Sequence, residues 1–291
     1  MASLKELRTR IKSVISTRQI TSAMKMVAAA RLRRAQDAVI RIRPYANKLQ
    51  EILFNIAGDF EICQDNIFST QREIKKVLLV AISSNRGLCG GFNSNVIKKT
   101  IALANEKYPQ QLAAGNVQIY VIGKKAEDVL KKKYKITDKR HDLLDNLEFN
   151  NISQFAINIM KKFANHEFDV VDIIYNKFKN AAVQIISADR FLPINIEAEN
   201  KSNSNYDYIF EPTKKQIIEE LIPRLLKTQF FKVLLDSNAA EQGARMTAMH
   251  KATDNATTLL GDLRLSYNKA RQDSITKEIL EIVSGAEALK G

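Results

Sequence analysis

Residues 4–56 read LKELRTRIKSVISTRQITSAMKMVAAARLRRAQDAVIRIRPYANKLQEILFNI, and this stretch decides the fold. Alternating steps of three and four residues from Leu4 to Ile56 visit sixteen positions, of which thirteen are apolar. The three exceptions, Arg18, Thr21 and Lys25, are consecutive on that walk. A spacing of 3.5 residues keeps one side of a helix against a partner helix, as in a coiled coil. The stretch therefore predicts one helix over residues 3–57, roughly 80 Å long at about 1.5 Å per residue.

The predicted partner helix lies at the other end of the chain. From residue 214 to about residue 289 there is no strand-like alternation, and Pro223 is the only proline. Because proline removes a backbone donor, we expect a short helix over 214–222 and a long one from about residue 224. Small residues over 239–244 would let the two helix backbones approach closely.

The residues between these helices have the pattern of an α/β domain. Uninterrupted apolar runs are typical of strands buried on both faces of a parallel sheet. We predict strands at 77–82, 117–122, 170–175 and 182–186, helices at 93–107, 125–132 and 152–164, and a hairpin turn at 176–180.

The predicted fold class is thus a Rossmann-like α/β domain with a mostly parallel sheet, inserted between two long terminal helices that form an antiparallel coiled coil. The expected division is an N-terminal coiled-coil helix at 1–58, the α/β domain at 74–200 and a C-terminal helix at 212–291 that pairs with the first.

Composition favours a soluble intracellular protein. No apolar run approaches the length of about eighteen residues that a membrane-spanning helix needs, and charges at the N-terminus argue against a signal peptide. Cys63 and Cys89 are expected to be reduced rather than bridged. The three histidines are far apart in sequence, so we expect no metal site, and no cofactor is predicted.

The net charge of +13 is concentrated in the first helix, where residues 1–58 carry twelve Lys and Arg but only three Asp and Glu. A solvated helix face would account for this excess. An acidic partner would also account for it: nucleic acid, anionic lipid or the carboxylates of another protein. Few aromatic residues lie among these charges, so nucleic acid is not favoured.

The most enzyme-like element is the loop at residues 83–93, which follows the first predicted strand and contains Gly87, Gly90 and Gly91. Glycine-rich turns between a strand and a helix can bind phosphate. This loop matches neither GxGxxG nor a P-loop, so a tight turn whose glycines supply positive φ is the preferred interpretation. Cys89 has no histidine near it in sequence and is a poor candidate nucleophile.

Several long motifs resemble those of the gamma subunits of F-type ATP synthases, in order and over the whole chain. They are Ile20-Thr21-Ser22-Ala23-Met24-Lys25-Met26-Val27-Ala28-Ala29-Ala30, residues 84–93, residues 248–256, residues 267–279 and residues 281–286.

This resemblance implies a central shaft that turns inside a ring of three alpha and three beta subunits. It further implies contacts with the epsilon subunit and the membrane c ring, and a peripheral position on the cytoplasmic face of the bacterial inner membrane. Catalysis would belong to beta, so no catalytic residue, cofactor or metal is expected in this chain. A proton or sodium gradient would drive synthesis of ATP, and hydrolysis would turn the shaft backwards.

The resemblance also implies site residues where the motifs match. The expected contacts with beta are Met24, Lys25, Arg271, Gln272 and Thr276. The expected apolar bearing consists of Ile279, Ile282, Val283 and Leu289, and the foot near the c ring and epsilon contains Tyr206, Tyr208 and Glu211.

Asp273 departs from the small apolar residue that is common in the family at this position, so the charge beside Arg271 and Gln272 is altered. The cysteine-bearing insertion of chloroplast relatives is also absent from the sequence. Two other functions stay open at this stage: a nucleotide-binding α/β enzyme with a coiled-coil arm, and a basic coiled coil that binds nucleic acid.

Overall fold

A computed structural model describes residues 3–56, 66–194, 211 and 213–288. They belong to two compact units. We call residues 29–245 the α/β unit, and residues up to 28 together with those from 246 onward the coiled-coil unit. No helix in the described ranges is long and apolar enough to cross a membrane.

The first described element is helix α1, Leu4–Ile56, and the last is the 75-residue helix α6, Lys214–Ala288. The prediction of α1 is confirmed to within one residue at each end. Every one of the sixteen positions on its three-four walk is buried or half-buried, which confirms the predicted seam.

The predicted break at Pro223 is wrong, because α6 runs through this proline. Its neighbours Ile222, Leu225 and Leu226 are buried in the apolar core. Burying each of these side chains contributes about 1.5–3 kcal/mol, so three together exceed the cost of about 3 kcal/mol for a proline inside a helix.

Among the described residues, five strands and four further helices lie between α1 and α6. In chain order they are β1 Val77–Ile82, α2 Phe92–Glu106, α3 Pro109–Ala113, β2 Val117–Ile122, α4 Lys124–Leu130, β3 Ile136–Lys139, a single 3-10 turn Asp142–Leu144, α5 Phe149–Ala164, β4 Val170–Phe178 and β5 Gln184–Leu192.

The strands form one sheet in the order β3-β2-β1-β4-β5, in which only the β4–β5 pair is antiparallel. The predicted mostly parallel sheet is therefore confirmed. One face of the sheet packs against α5 and the parts of α1 and α6 that lie in the α/β unit. The other face packs against α2, α3 and α4, which explains why β1 is buried throughout.

Two details of the sheet differ from the predictions. Sequence patterns missed β3, which is a four-residue edge strand with alternating exposure. The hairpin turn predicted at 176–180 was placed too early, because β4 continues to Phe178 and β5 begins at Gln184. Asn176 looks like a turn residue but is buried in the strand, and its Nδ2 donates to the carbonyl of Phe92 at 3.1 Å.

One glycine is essential where two strands end side by side. Gly123 follows β2 at φ +103°, and a Cβ there would lie 2.3 Å from the carbonyl oxygen of Ser83. The Ser83 hydroxyl donates to the carbonyl of Gly123 and accepts from the amide of Ala126. This contact fixes the loop that follows β1 against the start of α4.

Candidate functional surfaces

The coiled-coil unit is a pair of antiparallel helices with a defined end. On α6, steps of three and four from Met249 to Ser274 again reach only buried or half-buried positions: Met249, Thr253, Ala256, Leu260, Leu263, Tyr267, Ala270 and Ser274. The Thr253 hydroxyl donates to Thr21 Oγ1 at 2.9 Å, and Arg8 Nη2 donates to the Tyr267 hydroxyl at 3.1 Å. The start of α1 therefore lies beside residues near Arg271.

Beyond Ser274, α6 continues without a partner among the described residues. Every residue from Ile275 to Glu287 is exposed. Ile279, Ile282 and Val283 are 55%, 71% and 49% exposed. Contiguous exposed apolar side chains of this kind mark a surface that another molecule covers. Leu289, the fourth predicted bearing residue, lies outside the described residues.

The three predicted polar contact residues of α6 lie just before and at the start of this segment. Arg271, Gln272 and Thr276 are all exposed. The Thr276 hydroxyl donates to the Gln272 carbonyl at 2.9 Å and so is bonded to its own helix. Within the described ranges the Arg271 guanidinium makes no ion pair, which leaves its donors free for a carboxylate on another chain.

Met24 and Lys25 lie on α1, where both are half-buried, so they are less accessible than the residues of α6. Their neighbours Ile20, Met26 and Val27 are more than half exposed. Sequence reasoning missed these three residues. The sequence did contain a sign of them, since all three are apolar but lie outside the sixteen positions of the predicted seam.

The predicted foot is described only in part. Tyr206 and Tyr208 lie outside the described residues. Glu211 is exposed and lines a shallow cleft of about 650 Å³ with residues near the start of α6, among them Arg224 and Lys227.

Hydrogen bonds to other parts of the α/β unit hold the glycine-rich loop, which does not favour a role in binding phosphate. Asn93 Oδ1 accepts from the amide of Ser84, whose hydroxyl donates to the Arg86 carbonyl. Arg245 of α6 donates to the carbonyls of Arg86 and Gly87. Burial raises the pKa of the Cys89 thiol, which disfavours the thiolate that a nucleophile needs.

The sequence did not reveal which residues of this loop have positive φ. Positive φ falls on Gly90, at +57°, but also on Leu88, at +62°, whereas Gly91 has φ of −78°. Leu88 is 64% exposed. The loop thus holds a bulky residue in a left-handed conformation with its side chain in solvent.

A cleft of about 510 Å³ lies beside the loop, within the α/β unit. Arg31, Arg34 and Arg86 line it, and the positive charges of Arg31 and Arg86 act on Glu241 in the same cleft. The cleft also contains Glu241, which is bound to Arg245 at 2.7 Å and whose pKa is raised by burial. No group of three or more His, Cys, Asp or Glu among the described residues is placed to bind a metal ion.

Comparisons with known proteins match this chain to one family over nearly its whole length. A family model described as ATP synthase matches residues 3–289. The ATP synthase gamma chain of Flavobacterium johnsoniae is 55% identical over 291 residues, and that of Christiangramia forsetii is 52% identical, each covering all of both chains. The gamma chain of Chlorobium limicola is 44% identical over the same length.

Solved structures share the fold at lower identity. A chain of the Euglena gracilis mitochondrial ATP synthase matches with a TM-score of 0.68 at 22% identity, covering 98% of this chain and 94% of the other. A chain of the Tetrahymena thermophila mitochondrial ATP synthase central stalk and c ring matches with a TM-score of 0.58 at 24% identity, covering 80% and 99%. The identity to the bacterial relatives and the family match show that this chain belongs to the ATP synthase gamma chain family.

Proposed function

We propose that this chain is the central shaft of an F-type ATP synthase. It turns inside a ring of three alpha and three beta subunits and couples ion flow through the membrane c ring to synthesis or hydrolysis of ATP on beta. The observation that carries this proposal is the set of exposed apolar side chains near the end of α6, in a chain of this family: Ile275, Ile279, Leu280, Ile282 and Val283. Apolar side chains form no directional bonds, so they suit a bearing that can be enclosed and still turn.

The chain acts by differential contact rather than by chemistry of its own. A shaft with two unlike helices presents different side chains to three identical beta subunits at any one angle. Each angle therefore stabilises a different conformation of each beta subunit, and turning the shaft shifts those populations in sequence. Its partners supply the catalytic groups.

The contact residues follow from exposure and charge. Arg271 and Gln272 are exposed just before the segment that has no partner among the described residues, and Thr276 lies one turn beyond Gln272. Met24 and Lys25, next to the exposed Met26 and Val27, form a second contact on α1. The basic excess of the first helix favours carboxylates on beta as the partner of this surface.

A second set of residues would meet the membrane sector. We assign Tyr206, Tyr208 and Glu211 to a foot that contacts the c ring and the epsilon subunit. The chain is then a peripheral protein of the cytoplasmic face of a bacterial inner membrane, held there by its partners.

The decisive experiment is native mass spectrometry of this chain co-expressed with its cognate alpha and beta subunits, with ATPase activity measured on the same sample. We expect one copy per three alpha and three beta subunits, and activity above that of alpha and beta alone. An alpha–beta ring that assembles and never incorporates this chain would rule the proposal out. Nucleotide binding by the chain alone would instead favour the enzyme alternative.

The contact residues are tested in the same complex. Arg271→Ala should lower the ATPase rate by about tenfold, since a charge-assisted hydrogen bond contributes about 1.5–3 kcal/mol and 1.4 kcal/mol is a factor of about ten. Arg264→Ala is the matched control, because it removes another exposed arginine of the same helix. Equal losses in both variants would remove Arg271 from the contact.

A further inference from the structure

A basic turn joins α4 to β3 at the outer side of the sheet. Residues 129–137 read VLKKKYKIT, with four lysines and no acidic residue. We call residues 131–135 the basic turn. All four of its lysines are exposed: Lys131, Lys132, Lys133 and Lys135. The strand that follows, β3, is one of the two outermost strands of the sheet.

The fold holds this turn in one shape. The amides of Lys133 and Tyr134 both donate to the carbonyl of Leu130, at 3.0 and 2.9 Å. Leu130 is fully buried, and the half-buried Tyr134 packs against the same apolar cluster. The helix dipole favours cations only within the last turn of α4, so it does not account for Lys135 directly before β3. The lysines are therefore displayed on a folded turn for a reason other than capping.

Carboxylates of the described residues leave most of this charge unmatched. The Asp128 carboxylate lies 3.8 Å from Lys131 Nζ, but it lies equally far from Lys125 Nζ and is shared between them. The other three lysines form no ion pair with a described residue: Lys132, Lys133 and Lys135. The turn is therefore a patch of positive charge in search of an anionic partner.

The basic turn lies at the end of the sheet from which the chain continues to the predicted foot. Strands β1 to β4 are parallel, so their first residues share one end of the sheet, and the basic turn directly precedes β3 there. The antiparallel β5 finishes at the same end, where Leu192 pairs with Val171 of β4. Ile194 is the last described residue before the stretch of sequence that contains Tyr206 and Tyr208.

Lysines extend across this end of the sheet. The two outer strands, β3 and β5, are four strand spacings apart, which is roughly 20 Å at about 4.8 Å each. Lys76 directly precedes β1 and Lys161 is in the last turn of α5, and both are exposed. Two acidic groups nearby are engaged: Glu73 pairs with Lys75 at 3.0 Å, and Asp169 accepts the amides of Lys75 and Lys76.

We propose that the basic turn binds anionic phospholipid headgroups at the membrane surface, to one side of the foot that contacts the c ring. This inference rests on the proposed function, which directs this end of the α/β unit towards the membrane. Clusters of four or more basic residues next to a membrane are attracted by its anionic lipids.

The choice of lysine fits a lipid surface. The basic turn contains no arginine, whose rigid fork suits a carboxylate held in one geometry. A lysine ammonium is a hydrated point charge on a flexible stem, so it can exchange one headgroup phosphate for the next while the shaft turns.

The test uses the assembled complex of the full chain with its alpha and beta subunits, because the ring then encloses the basic first helix. Flotation with phosphatidylcholine vesicles, with and without phosphatidylglycerol, measures binding. The parent complex should bind only the vesicles that contain phosphatidylglycerol, and less at high salt. The triple variant Lys131→Gln, Lys132→Gln and Lys133→Gln should bind them at least about tenfold more weakly.

A matched control removes the same charge elsewhere on the α/β unit. The triple variant Lys98→Gln, Lys124→Gln and Lys179→Gln replaces three exposed lysines, of which Lys124 and Lys179 follow β2 and β4 at the opposite end of the sheet. It should bind the vesicles like the parent complex. Both triple variants should unfold at the temperature of the parent chain, since every replaced side chain is exposed.

Three outcomes would overturn the inference while the proposed function stands. The parent complex does not distinguish the two kinds of vesicle, or both triple variants lose binding equally, or the basic-turn variant keeps vesicle binding and instead loses binding to the detergent-solubilised c ring. The last outcome would mean that the turn meets a protein. If the parent chain fails to join a competent ring, the proposed function fails and this inference fails with it.

Discussion

The α/β unit and the coiled-coil unit use the same kinds of side chain for opposite purposes. In the α/β unit the large apolar residues are buried on both faces of the sheet, and even charged groups such as Asp172 and Asp236 are buried against partners. In the coiled-coil unit one narrow seam is covered, while Ile279, Ile282 and Val283 are exposed.

This difference indicates where stability and recognition are located. Burial of apolar side chains provides most of the free energy of folding, so the α/β unit should dominate the stability of the chain. Exposed apolar residues add almost nothing to folding, and they persist in a sequence where another molecule covers them. Substitutions in the two units should therefore affect different measurements.

The largest expected contrast is between Phe230→Ala and Ile282→Ala, both on α6. The ring of Phe230 is fully buried, with ring centroids of Phe155 and Phe191 at 5.6 and 5.5 Å. Removing it should lower the free energy of unfolding by about 3–5 kcal/mol. Ile282→Ala should change it by less than about 0.5 kcal/mol. Urea unfolding of the full chain measures both.

In a binding assay with alpha and beta subunits the order of the two effects should be reversed. Ile282→Ala should weaken binding more than Phe230→Ala does. Equal destabilisation by the two substitutions would mean that the exposed segment packs within the chain. The contrast between the two units would then be wrong.

A smaller effect, with a pH signature, is expected at the ion pair of Arg43 and Asp236 in the α/β unit. Arg43 Nη2 lies 3.1 Å from Asp236 Oδ1, and the aspartate side chain is 2% exposed while the arginine is 41% exposed. Burial raises the pKa of Asp236, and the arginine opposes that rise. Arg43→Ala should cost about 2–3 kcal/mol at pH 7, below the 3–5 kcal/mol of a fully buried pair because water already reaches the arginine.

The sign of the pH dependence follows from linkage. Without Arg43, the folded-state pKa of Asp236 rises further above its unfolded value of about 3.9. The variant therefore loses stability as pH rises from the unfolded-state pKa of Asp236 to its folded-state pKa. The difference in free energy of unfolding between the parent and the variant should shrink as pH falls from 7 towards 4. Lys48→Ala, at the exposed pair with Glu51, should cost under about 1 kcal/mol with little pH dependence. A deficit for Arg43→Ala that is constant with pH would contradict this account.

Features set by local periodicity were predictable from the sequence. The seam of α1 and the strands β1 and β2 were placed correctly because their apolar patterns are uninterrupted and need no knowledge of distant residues. The edge strand β3 was missed because its exposed alternate residues resemble a solvated segment. The end of β4 was misplaced because Asn176 is satisfied by a carbonyl 84 residues away.

The candidate surfaces divide in the same way. Motifs identified Arg271, Gln272 and the apolar segment, and the structure places all of them where they are exposed. The positive φ of Leu88, +62°, could not be found by motif, because it is a property of the folded loop. Gly243 was expected to allow close approach of the two long helices. A Cβ on it would instead meet the backbone of Ala181, in the β4–β5 turn.

The smallest expected effect compares two glycines of α6, one in each unit. At Gly261, in the coiled-coil unit, a Cβ would have no described atom within 4 Å, whereas at Gly243 it would lie 3.1 Å from the carbonyl oxygen of Ala181. Gly261→Ala should raise the free energy of unfolding by about 0.5–1 kcal/mol, the helix preference of alanine over glycine.

Gly243→Ala has the same helix preference, but its new Cβ must displace a backbone carbonyl in a packed turn. The free energy of unfolding should therefore stay unchanged or fall. Urea unfolding measures both effects, as shifts of the unfolding midpoint with the dependence of the free energy on urea concentration unchanged. A gain of the same size at both positions would mean that the β4–β5 turn yields freely, and the close packing that distinguishes the α/β unit would not extend to its contact with α6.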